Sequence, residues 1–309
     1  MKVIQPNFSL LITTKNRIKE LAFTLEKSQY LLERGDVQCI ICDDGSTDDT
    51  SVFIQANYPQ IHLIQNKETK GLIYSRNRLL DLVTTEFAIS LDDDAHFITE
   101  NSLANLKAHL DANPFCGVVA LRIFWGLKEP NTEFTAETST RVQGFVGCGH
   151  VWRMKAWWTI PDYPDWFIFY GEEDFAAYQL YKKDWQIHYL AEVLVHHRVD
   201  VKSRRNNADY SLRLRQSLRS GWYLYFLFFP LQKIPRKMVY SIWIQFKLKV
   251  FKGDFKALQA LILAMLDLIG SIPKIIKNSN RLTLIEYYKY QKLEGAKIYW
   301  QPDQNESLF

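Results

Sequence analysis

The chain has 309 residues, enough to bury a large core as one large domain or as one domain with an appendage. Hydrophobic residues make up 47% of it and aromatic residues 14%, which excludes a disordered protein. The net charge of +4 conceals an asymmetry, because residues 1–200 carry a net −8 and residues 201–309 a net +12. The basic C-terminal third favours an anionic partner, such as a membrane surface.

Four cysteines occur, at Cys39, Cys42, Cys116 and Cys148, and they do not form the pattern of a disulfide framework. Cys39 and Cys42 have the spacing of a redox or zinc motif, but they lie in an apolar strand pattern without a second pair. Core packing is therefore favoured over chemistry. Residues 1–6 lack signal-peptide architecture, so we expect a reducing, cytoplasmic setting.

Strand and helix patterns alternate through the first hundred residues. Short apolar runs predict buried strands over residues 8–14, 38–42, 61–64 and 87–91, and the first intervening helix is predicted over residues 17–33. This alternation predicts an α/β fold with a mostly parallel sheet flanked by helices on both faces. Ligands bind such sheets beyond the carboxyl ends of the strands.

Three consecutive carboxylates, Asp92, Asp93 and Asp94, follow the fourth predicted strand. Like charges packed this densely repel one another unless a cation or a ligand shares the site. Because side chains alternate along an extended chain, Asp92 and Asp94 can point the same way and offer oxygen ligands to Mg²⁺ or Mn²⁺. The alternative is a solvated acidic turn.

Beyond residue 115 the pattern is less regular. Residues 117–124 predict a strand, and residues 126–143 predict a long polar loop of the kind that often closes over a site. The spaced glycines of residues 144–153 would let the backbone approach a ligand closely. Two further strands are predicted over residues 186–191 and 193–198.

Four short motifs occur in order: Thr-Thr-Lys-Asn-Arg at 13–17, Asp-Asp-Gly-Ser-Thr-Asp at 43–48, Gly-x-x-x-Ser-Arg-Asn at 71–77 and Leu-Asp-Asp-Asp-Ala at 91–95. Their order and spacing strongly resemble glycosyltransferase family 2 over about residues 8–200. The resemblance implies the Rossmann-like GT-A fold, a nucleotide-sugar donor and inverting chemistry. We expect a catalytic domain over residues 1–200, with a nucleotide-sugar half over about 1–95 and an acceptor half over about 96–200.

The resemblance also assigns residues to a nucleotide pocket. Asp44 and Asp43 would accept a hydrogen bond from the base, although an Asx turn would use the same carboxylates. Thr13 and Arg17 would line the pocket. Arg76 would face the base or a phosphate, unless it is a surface charge on a helix.

The same resemblance places a metal beside the donor diphosphate. Asp92 would hold the ribose or the metal, and Asp94 would hold the metal, which we expect to be Mn²⁺ or Mg²⁺. Asp93 is grouped with the nucleotide pocket, although its side chain can equally face away. His196 or His197 would complete the metal shell, against the alternative that both are structural.

A second acidic cluster, Glu172-Glu173-Asp174, precedes a predicted helix that ends near Lys183. It resembles the family's Glu-Asp motif, whose Asp is the catalytic base. An inverting transfer needs a carboxylate that takes the proton of the attacking hydroxyl. We take Asp174 as the base and Glu173 as the alternative, because the spacing to the next turn departs from the family's. A structural role at the helix N-terminus would also explain the acids.

Residues 201–309 predict a basic, aromatic-rich helical extension, with helices over residues 207–229, 239–251 and 255–272. None of them reaches the ~18 uninterrupted apolar residues of a spanning helix. Basic residues beside aromatic faces fit an interfacial helix on an anionic membrane. Packing on the catalytic domain would explain the apolar faces but not the charge. We expect peripheral attachment at the cytoplasmic face of a membrane.

The sequence as a whole predicts a metal-dependent, inverting glycosyltransferase in cell-surface polysaccharide synthesis. It would move one sugar from a nucleotide diphosphate sugar, with UDP- or dTDP-sugars favoured, to a glycan or lipid-linked acceptor. Two alternatives remain, a nucleotidyltransferase acting on a sugar phosphate and a non-catalytic glycan-binding or scaffold protein. The basic residues do not form a nucleic-acid-reading module, so no nucleic-acid partner is expected.

Overall fold

The computed structural model describes residues 7–200 and 209–302. Its first part alternates strands and helices in the order β1 (Phe8–Thr14), α1 (Ile18–Lys27), α2 (Gln29–Leu32), β2 (Val37–Asp43), α3 (Thr50–Asn57), β3 (His62–Gln65), α4 (Leu72–Asp81) and β4 (Phe87–Asp92). The four predicted strands are all present and pair in parallel, in the order β3-β2-β1-β4. The single helix predicted over residues 17–33 is instead two helices, because the backbone leaves helical geometry at Ser28.

The second part of the chain extends the same sheet. It comprises β5 (Ala95–Phe97), α5 (Ser102–Ala112), β6 (Cys116–Trp125), β7 (Thr140–Val142), β8 (Gly149–Arg153), α6 (Met154–Trp157), α7 (Glu172–Lys182) and β9 (Gln186–His197). The sheet continues from β4 as β8-β6-β9-β5, with β7 beside β9. Here antiparallel pairs join β8 to both neighbours, and only β6 and β9 run parallel. The predicted α/β class is confirmed, and the parallel pairing is concentrated in the first part.

One continuous strand, β9, replaces the two strands predicted over residues 186–191 and 193–198. The register against β6 shifts between the pairs Leu121–Leu190 and Arg122–Leu194, so the predicted break at residue 192 falls in the shifted part of β9. Because β9 is continuous, its C-terminal histidines reach the same end of the sheet as β4 and β5.

Apolar side chains cover both faces of the sheet. Alternate strand residues point to opposite faces, so Leu10 and Ile12 pack in one layer with α1 and α5, while Leu11 packs in the other. Cys39 and Cys42 likewise lie in different layers, and both thiols are buried. Their separation across the sheet excludes a shared redox or zinc site and confirms that these cysteines pack in the core.

Five helices occupy the C-terminal part of the described chain: α8 (Tyr210–Phe228), α9 (Ile234–Leu248), α10 (Phe255–Gly270), α11 (Ile272–Asn278) and α12 (Leu284–Tyr290). The predicted start of the first of these, at Asn207, lies outside the described residues. Helix α8 buries Trp222, Leu227 and Phe228 in the same core layer as α7. Packing on the catalytic domain therefore explains the apolar face of α8.

The chain returns to the sheet after α12. Residues 294–301, which we call the C-terminal strap, run beside β6 and β7. The Trp300 amide donates to the Ile123 carbonyl over 2.6 Å, and the Gln143 amide donates to the Glu294 carbonyl over 2.8 Å. The strap is thus fixed at both ends by backbone hydrogen bonds.

No single helix within residues 7–200 and 209–302 combines the length and apolar character needed to cross a bilayer. Helices α10 and α11 satisfy that test only as a pair, and their axes are bent by 57°.

Candidate active site

Two adjoining cavities open beyond the carboxyl ends of the parallel strands. The first cavity, of about 440 Å³, is lined by Thr13, Arg17, Asp44 and the three consecutive aspartates. The second cavity, of about 590 Å³, is lined by Arg76, Glu173 and Asp174 together with side chains from α8 and the strap. Asp92 and His197 line both cavities and mark their boundary.

A cluster of Asp92, Asp94 and His197 lies at that boundary. One potential ligand atom of each residue lies within 4.8 Å of the others, and His197 Nε2 is 3.0 Å from Asp94 Oδ1. Strand β4 ends at Asp92, and the pairing of Ala95 with His197 brings β9 alongside the turn that carries Asp94.

The donor set fits a divalent cation. Asp94 Oδ1 is buried and lies 3.0 Å from His197 Nε2, so two potential ligand atoms face each other at the cluster. Burial alone would raise the pKa of Asp94, but His197 and Arg17 outweigh it and hold that pKa below its ordinary value. Carboxylate oxygens are ligands for both Mn²⁺ and Mg²⁺. The imidazole suits a transition metal such as Mn²⁺ better than it suits Mg²⁺.

The structure separates the two candidate histidines. His196 lies on the opposite face of β9, where its Nε2 donates to the Gly126 carbonyl over 2.7 Å and its ring packs edge-on against His96. Successive residues of a strand point to opposite faces, so only one of the pair can face the aspartates. We therefore retain His197 as a candidate ligand and withdraw His196.

Asp93 faces inward from the turn. It accepts a hydrogen bond from Thr14 Oγ1 at 2.8 Å and pairs with Arg17 Nη1 at 3.0 Å. Burial raises the pKa of Asp93 to about 7, although Arg17 opposes that rise. Arg17 also pairs with Asp94 Oδ2 at 2.7 Å, so its guanidinium ties the two acids together at the wall of the first cavity.

The two acids after β2 already have protein partners. Asp43 accepts hydrogen bonds from the Ser46 amide at 2.9 Å and from the Ser51 hydroxyl, which is the local turn foreseen as an alternative. Asp44 accepts hydrogen bonds from the backbone amides of Lys70 and Gly71 at 2.8 and 2.9 Å and from Asn66 Nδ2 at 2.7 Å, and it anchors the start of α4. A carboxylate accepts about four hydrogen bonds, so Asp44 keeps capacity for a ligand in the first cavity.

Arg76 is buried and contacts three carboxylates, so it is not a surface charge on a helix. Its Nη1 lies 2.8 Å from Glu172 and 3.2 Å from Glu173, and its Nη2 lies 2.9 Å from Asp92. Burial opposes the charge of Arg76, but these three carboxylates outweigh it and raise its pKa. A β-carbon at Gly147 would fall 2.0 Å from Glu173 Oε1, so glycine permits this close approach.

Replacing Arg76 by methionine tests whether its guanidinium neutralises the buried carboxylate of Glu172. Glu172 would then be a buried carboxylate without a cation, and we expect the free energy of unfolding to fall by about 3–5 kcal/mol in urea titrations. The double variant Arg76→Met/Glu172→Gln removes the stranded charge and should recover part of that loss. Equal losses in the single and double variants would contradict the assignment.

The first turn of α7 presents Glu173 and Asp174 to the second cavity. Glu173 contacts Arg76, whereas the Asp174 carboxylate has no hydrogen bond or ion pair with any described residue and lies close to Gly144. Asp174 is exposed on the side that opens into the cavity, and protein surrounds it on its other sides. Burial and the nearby Glu173 charge raise the pKa of Asp174 to about 6.

Sequence reasoning missed the far wall of the second cavity. Arg213, Ser217 and Leu224 of α8 line it, as do Ala296 and Ile298 of the C-terminal strap. The strap is also held by aromatic contacts, because Tyr299 stacks on Trp125 with ring centroids 5.5 Å apart. Residues beyond 200 therefore help to enclose the site.

The fold is shared with solved glycosyltransferases. GalNAc-T7 with UDP, GalNAc and Mn²⁺ superposes with a TM-score of 0.57 at 14% identity, over 75% of this chain and 49% of that chain. The mannosyltransferase PcManGT from Pyrobaculum calidifontis, with GDP-Man and Mn²⁺, gives 0.55 at 16% identity, over 93% and 79%. TarS from S. aureus gives 0.52 at 18%, over 71% and 40%. The chain spans about half the length of GalNAc-T7. The predicted GT-A fold is thereby confirmed.

The family model for glycosyl transferase family 2 matches residues 9–165, just over half of the chain. The chain therefore belongs to glycosyltransferase family 2 and is a glycosyltransferase, as its four motifs predicted. No curated protein matches the chain.

Proposed function

We propose that this enzyme is a metal-dependent, inverting glycosyltransferase that moves a single sugar from a nucleotide diphosphate sugar to an acceptor. The observation that carries the proposal is the Asp92–Asp94–His197 cluster at the boundary between two cavities, one of which contains Asp174. Structures that share the fold hold UDP, GDP-Man and UDP-GlcNAc, which supports a nucleotide-sugar donor.

The first cavity suits the nucleotide. Asp44 and Thr13 offer an acceptor and a hydroxyl to the base and ribose, and Arg17 is a cation at the same wall. UDP- and dTDP-sugars are favoured as donors because a carboxylate accepts from the imide N–H of their bases. Mn²⁺ or Mg²⁺ would be held by Asp92, Asp94 and His197, and a bound cation there supplies charge stabilisation to the departing diphosphate.

The second cavity suits the acceptor. In the proposed step, an acceptor hydroxyl gives its proton to the Asp174 carboxylate while its oxygen bonds to the anomeric carbon and the bond from that carbon to the diphosphate breaks. Attack from the face opposite the leaving group inverts the configuration. A pKa of about 6 leaves Asp174 ionised at neutral pH yet basic enough to take the proton.

Glu173 is the alternative base. It shares the Arg76 guanidinium with Asp92 and so lies close to the proposed metal site. The Glu173 carboxylate is already paired with Arg76, whereas the Asp174 carboxylate has no hydrogen bond or ion pair with any described residue. We therefore keep Asp174 as the base and let mutagenesis decide between them.

Thermal unfolding with a panel of UDP, dTDP, GDP and CMP tests the donor site. With Mn²⁺ present, a nucleotide at ~100 times its dissociation constant adds roughly 2.7 kcal/mol, which corresponds to a Tm rise of roughly 5 °C. We expect that rise for one nucleotide family and its loss on chelation. A Tm that no nucleotide moves would contradict the donor assignment.

Product analysis tests the transfer step directly. A glycosyltransferase releases nucleoside diphosphate, whereas a nucleotidyltransferase acting on a sugar phosphate releases pyrophosphate. A glycan-binding scaffold would release neither nucleoside diphosphate nor pyrophosphate.

We extend the proposal to a glycan or lipid-linked acceptor in cell-surface polysaccharide synthesis, at the cytoplasmic face of a membrane. The support is the net charge of +12 on residues 201–309, which favours an anionic surface.

A further inference from the structure

Helix α10 is apolar on two opposite faces. Ala257, Ala260, Leu261, Ala264 and Leu268 form its inner face and are buried. On the outer face, Phe255, Ile262, Leu266 and Ile269 are 76%, 53%, 58% and 57% exposed. These four residues recur at helical spacing, so they form one stripe that faces away from the core. A helix that is hydrophobic all round is normally covered on every side, but residues 7–200 and 209–302 provide no cover for this stripe.

Helix α9 also exposes large apolar side chains on one face. Nine of its fifteen residues are aliphatic, aromatic or methionine, yet Ile234 is the one buried residue of the helix. Val239, Tyr240 and Trp243 are each more than half exposed. Met238, Ile242 and Phe246 pack partly against the core, so packing on the rest of the protein leaves unexplained only the outer face of α9 and that of α10.

The turn between α9 and α10 combines exposed rings with cations. Phe251 and Phe255 are 67% and 76% exposed, and Lys247, Lys252 and Lys256 beside them are also exposed. We call this turn and the outer faces of both helices the α9–α10 surface, defined by these residues: Val239, Tyr240, Trp243, Lys247, Phe251, Lys252, Phe255, Lys256, Ile262, Leu266 and Ile269.

Its charge is predominantly positive. Residues 231–280 contain nine Lys and Arg but only two acids, Asp254 and Asp267. Both acids are engaged within the fold: Asp254 accepts from the Tyr210 hydroxyl at 2.7 Å, and Asp267 pairs with Arg215 at 2.6 Å. The α9–α10 surface therefore presents apolar side chains and unneutralised cations together.

We propose that the α9–α10 surface docks on an anionic lipid bilayer, with Phe251 and Phe255 entering the headgroup region first. Cations suit acidic headgroups, while Trp243 and Tyr240 suit the depth at which aromatic rings prefer to lie. Because α8 covers its inner face, α10 lies in the plane of the interface and does not span the bilayer. The docking surface shares no residue with the active site, and only its link to a lipid-linked acceptor rests on the proposed function.

Flotation of the full chain tests the proposal. At low ionic strength we expect the protein to float with vesicles of phosphatidylcholine and phosphatidylglycerol, and not with phosphatidylcholine alone. Each basic residue near such a surface contributes about a fivefold factor, so the triple variant K247Q/K252Q/K256Q should lower the partition constant on the order of 100-fold. Brominated lipids should quench the fluorescence of the wild type more than that of W243F.

A matched control is K67Q/K155Q/K183Q, which removes three exposed lysines from other parts of the surface. This control should float like the wild type. The proposal is overturned if the wild type does not float with anionic vesicles, or if both triple variants lose binding equally. It is also overturned if light scattering shows a dimer that F255S/I262S/L266S dissociates while vesicle binding is unchanged, because the surface would then join two copies.

The nucleotide-dependent rise in Tm is measured on the same proteins. Retention of that rise in K247Q/K252Q/K256Q shows a folded donor site, so a loss of flotation cannot be attributed to unfolding. Conversely, flotation of a protein whose Tm does not respond to any nucleotide would contradict the proposed function but support the docking surface.

Discussion

Replacing Asp94 by asparagine should lower kcat/KM for sugar transfer by about 10³-fold or more and remove the Mn²⁺-dependent rise in Tm with nucleotide. Asparagine keeps the size of the side chain but withdraws one of the two anionic ligands that the cluster offers to a divalent cation. The loss corresponds to several kcal/mol of transition-state stabilisation that a bound metal supplies. Nucleoside diphosphate release measures the first effect, and thermal unfolding with and without chelator measures the second.

Asp49→Asn is the control for Asp94→Asn. Asp49 is exposed, and its side chain makes no capping hydrogen bond to α3, so its variant changes the net charge without touching the cluster. It should retain full activity. If Asp94→Asn also kept its activity and its response to chelator, the metal ligands would have to lie elsewhere.

Replacing Asp174 by asparagine should lower kcat by about 10²–10⁴-fold while leaving the KM for the donor nearly unchanged. The carboxylate is needed to take a proton, and it lies in the second cavity rather than in the nucleotide pocket. In the wild type, kcat should fall as the pH drops below about 6, because a protonated Asp174 cannot accept the proton. The residual activity of the asparagine variant should lack that acidic limb.

Glu173→Gln is the matched comparison, since it removes the adjacent carboxylate from the same turn. A larger fall in kcat for this variant than for Asp174→Asn would transfer the role of base to Glu173.

The stability of the fold is a separate readout for Asp174. The folded protein raises the pKa of Asp174 from 3.8 to about 6, so ionisation destabilises the fold as the pH rises through that value. Because Asp174 is exposed on its cavity side, solvent screens most of that penalty, so Asp174→Asn should be about as stable as the wild type at neutral pH.

The α/β pattern and the position of the site could be predicted because both depend on local sequence. Buried strands are short apolar runs, and Thr13, Asp44 and Asp92 come where those runs end. Parallel pairing then brings those ends together, as Thr13 lies opposite both Cys42 and Asp92. The position of the first cavity follows from this geometry.

The choice between His196 and His197 could not be made from sequence. It depends on which face of β9 meets the Asp94 turn, and that is set by pairing with β5, a three-residue strand with no clear pattern of its own. A shift of register by one residue exchanges the two faces.

The contacts of Arg76 depend on tertiary structure in the same way. Glu172 is 96 residues away in sequence, and nothing local to either residue predicts their pairing. The cavity wall from α8 and the strap was missed for a related reason, because residues 201–309 were assigned to an extension without a role in the site.

The C-terminal strap has a consequence for how this enzyme can diversify. Its backbone is fixed at Glu294 and Trp300, whereas Ala296 and Ile298 between them line the second cavity. Backbone hydrogen bonds are indifferent to side-chain identity, so these two positions can mutate while the strap stays in place. Evolution can therefore reshape the second cavity through a few substitutions late in the chain, leaving the carboxylates of the first cavity untouched.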